Sequence, residues 1–141
     1  MNGQSAFAHK YWGTLYSLLS WEQLAGFWPK VAPAKPWYLY AVGQAMPAQP
    51  ASSEEVGRFI AEIDALLHRE HEEDYCGIVY ADDLEQPTFV KIYDPGNLGV
   101  ACGSSGRHIF PGWIMSLDPP EELKPEVVPN NRKRWWQSLF S

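Results

Sequence analysis

The chain has 141 residues, 45% apolar and 20% charged, which is the size and balance of one globular domain able to bury a core without staples. Its 17 acidic and 11 basic residues leave a net charge of −6, opposing attraction to phosphate backbones and anionic lipid, so nucleic acid is not an expected partner. No run of ~18 apolar residues occurs and the start lacks a basic region followed by an apolar stretch, so neither membrane insertion nor export is expected and the chain reads as cytoplasmic.

In chain order, residues 1–12 read as frayed. Next, TLYSLLSWEQLAGFW places Leu15, Leu18, Leu19, Trp21, Leu24 and Trp28 at spacings that suit one or two short helices. Ser20 with Gln23 has the pattern of a capping box, and Pro29 ends the element. PWYLYAVG reads as a strand closed by Gly43. After the loop MPAQPASS, Ser52 and Glu55 form a second capping box at the start of a long amphipathic helix. Its apolar positions Val56, Phe59, Ile60, Ile63, Leu66 and Leu67 recur every three or four residues. The end of that helix, HREHEEDY, crowds acidic residues against the negative end of the helix dipole, an unfavourable arrangement that its two histidines soften if protonated and that is otherwise functional or simply solvated.

CGIVYA, TFVKIY, LGVAC and WIMSL follow as short β-type runs. Asp94-Pro95-Gly96-Asn97 between them suits a type II turn. Short connections favour antiparallel neighbours. The expected fold is therefore α+β: one domain over 1–118 with a mainly antiparallel sheet of four to five strands. One long helix and a short N-terminal helical segment pack on it. Residues 119–141 read as a tail in which Pro119, Pro120, Pro125 and Pro129 interrupt regular structure.

Four groups of residues bear on chemistry. His68, His71, Glu72 and Cys76 are candidate metal ligands, because residues three or four apart share a helix face; the two histidines are one residue too close for a His-Glu-x-x-His zinc pattern. In CGSSGRH, Cys102 with Arg107 and His108 is a candidate thiol site, where basic neighbours favour a thiolate and glycines allow close backbone approach. A tyrosine-phosphatase loop has five residues between Cys and Arg, and here there are four. Tyr80-Ala81-Asp82-Asp83 resembles the Tyr-x-Asp-Asp hairpin of reverse transcriptases over those four residues. Such polymerases need a third carboxylate and far more chain, and two aspartates opening a turn account for the same letters. Finally, Arg132, Lys133, Arg134, Trp135 and Trp136 join the only basic run to paired indoles, a candidate partner-binding element or one that docks on the chain's own acidic body.

Cysteine occurs twice, and Cys76 and Cys102 are expected as reduced thiols. No cofactor motif is present and none is expected. No catalytic pattern has its spacing intact, while seven Trp and seven Tyr supply more ring surface than a core of this size needs. The preferred expectation is a non-catalytic protein-binding or adaptor domain with a protein partner. The alternatives are a small thiol-dependent enzyme or redox sensor using Cys102 with Arg107 or His108, and an acidic inhibitor or immunity-type protein.

Overall fold

The computed structural model describes residues 5–31, 34–71, 73, 76–97, 110–123 and 130–140. Among these residues five strands form one sheet: β1 (Tyr16–Ser17), β2 (Tyr38–Ala41), β3 (Val79–Ala81), β4 (Phe89–Ile92) and β5 (Trp113–Ser116). Their order is β1-β3-β4-β5-β2, and every neighbouring pair is antiparallel. The expected α+β architecture is thus present, with β4 at the centre and β1 and β2 at the edges.

Side-chain alternation along the strands divides the core between two faces. On one face Leu39, Ala41, Val79, Ala81, Val90, Ile92, Trp113 and Met115 meet Leu24 and Phe27 of α2 (Trp21–Phe27) and the apolar stripe of α3 (Ser53–Glu70). On the other, Tyr40, Phe89 and Ile114 meet Phe7 and Tyr11 of α1 (Ala6–Tyr11). α3 buries Val56, Phe59, Ile63, Leu66 and Leu67, with Ile60 at the margin. Its capping box is complete: the Ser52 hydroxyl accepts from the Glu55 N–H at 3.1 Å and the Glu55 carboxylate from the Ser52 N–H at 2.9 Å. Ser20 caps α2 in the same sense, accepting from the Gln23 N–H, while the Gln23 side chain reaches back one residue further to the Leu19 N–H.

Four local expectations are corrected. The start is not frayed from residue 6 onward, because Phe7 and Tyr11 are one helical turn apart and bury together on Phe89, a staple that two aromatic rings are large enough to provide. The helical reading of TLYSLLSW gives way at Tyr16–Ser17, which pairs with Ala81 and Tyr80 as the edge strand β1; helix begins only after the Ser20 cap. Asp94-Pro95-Gly96-Asn97 is a single 3-10 turn rather than type II, since the Asp94 carboxylate accepts from the Gly96 N–H at 2.8 Å and Gly96 keeps a negative φ. Positive φ falls instead at Gly43, which ends β2 as expected, and at Gly77, which leads into β3. In the C-terminal segment, Asn130–Leu139 is α4, a helix whose Leu139 is buried in the main core; the prolines stop one residue before it, and the periodic Arg132, Trp135, Trp136 and Leu139 supply a docking face. The strand expected at LGVAC lies outside the described residues.

Candidate functional site

The candidate metal ligands are occupied with packing. Trp21 of α2 lies over His68 of α3 with ring centroids 4.3 Å apart, and meets His71 edge-on at 5.8 Å. The His68 Nε2 is 3.6 Å from Asp64 Oδ1, the same oxygen that accepts from the Trp28 indole at 2.9 Å. The carbonyl of Cys76 accepts from His71 Nε2 at 2.9 Å, which fixes a proton on that nitrogen because a carbonyl cannot donate. Cys76 itself is fully buried and free, and burial pushes its thiol pKa up, away from ligation or nucleophilic use. Among the described residues no group of three or more His, Cys, Asp or Glu is arranged to hold a metal ion. Glu72 lies outside the described residues, as do Cys102, Arg107 and His108.

Asp82 and Asp83 close the β3–β4 turn. Asp82 accepts from the backbone N–H groups of Thr88 and Phe89 at 2.9 and 3.0 Å and from the Thr88 hydroxyl. Asp83 accepts from the N–H groups of Glu85 and Gln86 at 2.8 and 2.9 Å, and those two bonds hold its carboxyl below the usual range. Both carboxylates are consumed in chain reversal.

The basic-aromatic segment divides. Arg132 turns inward, with Nε 2.8 Å from Asp94 Oδ2 and Nη2 2.6 Å from Glu70 Oε1. Trp135 packs edge-on to Trp113 at 5.4 Å, and Trp136 to Phe59 at 6.0 Å. Lys133 and Arg134 are exposed. The compensation that the acidic end of α3 requires therefore comes from α4.

Two further features of the described residues adjoin. The first is a set of large apolar side chains left in solvent around the edge strand: Trp12 (60% exposed), Tyr16 (52%) and Leu19 (64%). Trp12 follows α1 and touches Tyr11 at 4.9 Å, on one face of the sheet, while Tyr16 shares a register position with Ala81, whose side chain belongs to the opposite face. The second is Lys91 at the middle of β4, only 9% exposed. Its ammonium lies 4.6 Å from the ring centre of Tyr11 and 5.7 Å from that of Tyr93. Its hydrogen bond to the Tyr11 carbonyl is stretched to 3.5 Å, and no carboxylate among the described residues pairs with it. Burial pulls its pKa down. Tyr80 stands directly opposite Lys91 and Ser17 opposite Tyr80, so one cross-sheet row carries three polar side chains. The Ser17 hydroxyl oxygen is buried without a hydrogen-bond partner.

The sequence reading passed over both features. A single lysine inside TFVKIY was the available signal for the second, since a charge within a run that reads as a buried strand needs an explanation. Nothing comparable marked the first, because exposure of Trp12 and Tyr16 depends on β1 being an edge. Comparison of the chain with protein-family models, with curated proteins and with solved structures finds no match.

Proposed function

We propose that this chain is a non-catalytic protein-binding domain whose contact surface is the β1 edge, flanked by Trp12, Tyr16 and Leu19. The observation that carries the reading is the position of these side chains: of the four large apolar residues exposed among the described residues, three fall within eight residues of sequence, on both sides of one edge strand. An edge strand offers unpaired backbone N–H and C=O groups, and an extended segment of a partner can add to it by main-chain hydrogen bonding. Rings on the two faces of that edge then give the added strand side-chain contacts above and below the sheet. Exposed aromatic residues contribute much of the free energy at such contacts. Lys133 and Arg134 are exposed elsewhere, and the indoles beside them are already packed, so the C-terminal segment is a secondary surface at most.

The test pairs capture with mapping. The doubly substituted chain Trp12→Ser, Tyr16→Ser should fold normally and lose the protein that the wild-type chain captures. The captured partner should slow hydrogen exchange at the amides around Tyr16 to Leu18. Equal capture by the doubly substituted chain, with protection appearing elsewhere, would falsify the assignment of this edge.

A further inference from the structure

We propose that Lys91 is a nucleophilic amine that takes up a small uncharged aldehyde as an imine. An ammonium ion has three N–H donors to satisfy. Lys91 is buried on the central strand with one stretched bond to a carbonyl, two tyrosine ring faces and no paired carboxylate among the described residues. A lysine kept for structure at such a depth normally has an anionic partner, as Arg132 has in this same protein. Without one, burial favours the neutral amine, which carries the lone pair that attacks a carbonyl.

The surroundings select the ligand class. The ring faces of Tyr11 and Tyr93 lie against the ammonium, and Tyr80, opposite Lys91 in the sheet, is in edge-on contact with Tyr93 at 5.7 Å; Tyr80 and Tyr93 are half-buried. Aromatic walls suit an apolar or aromatic aldehyde, and no second cation among the described side chains in contact with Lys91 would hold the carboxylate of a keto acid.

The chemistry balances within the pair. The Lys91 nitrogen forms a bond to the carbonyl carbon, a proton passes from nitrogen to the former carbonyl oxygen, and the resulting hydroxyl leaves as water while C=N forms. Nothing is oxidised or reduced. A site that excludes bulk water also slows hydrolysis of the imine.

The experiment uses the folded full chain with benzaldehyde as probe and borohydride to trap the imine, read by intact mass and peptide mapping. A single adduct at Lys91 is expected at neutral pH, with exposed lysines such as Lys35 left unmodified over the same time, because burial favours the neutral form of the Lys91 amine. Lys91→Met, which keeps the unbranched stem without the nucleophile, should abolish it. Should that variant fold poorly, the wild-type chain still decides the matter: trapping at Lys91 should reach half its maximum at lower pH than trapping of a free lysine side chain in solution. Adducts spread over the surface lysines, with Lys91 modified only after unfolding, would overturn the proposal. Neither outcome depends on the β1 edge, since no partner protein is present.

Discussion

Arg132 grips Glu70 across the two ends of the chain's helical layer: Nη2 is 2.6 Å from Oε1 and Nη1 3.1 Å from Oε2, joining the last turn of α3 to the first turn of α4. Asp94 takes the other side of the same guanidinium. The hydrogen bonds from Arg132 hold the Glu70 carboxyl below its ordinary pKa of 4.5. A carboxyl whose pKa is depressed by folding contributes stability that is present above the unfolded pKa and lost as pH falls through the folded one. Glu70→Gln should therefore lower unfolding stability at pH 7, and the gap from the wild-type chain should close as the pH is taken down through the carboxylate range. Urea unfolding of both chains across that range is the measurement. Because Glu70 is about one-third exposed, the gap is expected to be smaller than that for Arg132→Ala.

Arg132→Ala should cost about 3 kcal/mol at pH 7, since it leaves the nearly buried Asp94 without its cation. Chemical unfolding reads the loss. Arg132→Met should recover part of it only if Asp94 is replaced as well, because an apolar side chain cannot neutralise a buried carboxylate.

Removing residues 119–141 should cost at least about 3 kcal/mol or prevent folding, since Leu139 alone is a buried leucine and truncations of that kind cost ~2–5 kcal/mol. Salt should have little effect on the docking of α4: Trp135 on Trp113, Trp136 on Phe59 and Leu139 in the core are apolar contacts that screening does not weaken. Tryptophan fluorescence of the intact chain should accordingly stay native-like from low to high ionic strength.

In the core, Ile63→Ala should cost about 2–4 kcal/mol, because Ile63 is fully buried between α3 and the sheet and its loss leaves a cavity. The same change at Ile60, at the margin of the buried stripe, should cost clearly less. Denaturant midpoints of the two variants give the comparison.

The long helix was legible because its signals are local: a capping box and a spacing of three and four are written in neighbouring residues. Strands β2 to β5 were legible for a similar reason, since β-branched and aromatic runs between turn residues carry their own period. What escaped depends on distant partners. Tyr16–Ser17 is a strand only because Tyr80 and Ala81 lie alongside, and Arg132 is an internal ligand only because Glu70 and Asp94 converge on it. Docking of the basic run on the chain's own acidic body was one of two readings open in the sequence, which shows the charge of Arg132 without its two anions. Its helical phase, three residues from Trp135 and seven from Leu139, held the clue to a buried face. The candidate site was least legible of all, because the exposure of Trp12 and Tyr16 and the burial of Lys91 follow from strand pairing and not from neighbouring residues.

The thiol of Cys76 should be almost inert in the native chain, and its reaction should report a local opening. The residue is fully buried, its N–H donates to the Leu19 carbonyl at 2.9 Å, and its own carbonyl is held by His71. Burial raises its pKa, so little thiolate exists at neutral pH even when a reagent reaches it. Labelling must then wait for the segment joining α3 to β3 to part from Leu18 and Leu19. Gly77 N–H to Leu18 carbonyl, at 2.8 Å, is the next bond to break. His71→Ala removes one bond of this clasp, worth about 1 kcal/mol, and should speed native-state labelling roughly fivefold. If the opening is local, the denaturant midpoint should move far less than the labelling rate does, because α3 and the sheet stay packed while the clasp parts. A labelling rate that instead follows global stability across core variants such as Ile63→Ala would show that Cys76 is released only when the whole domain unfolds.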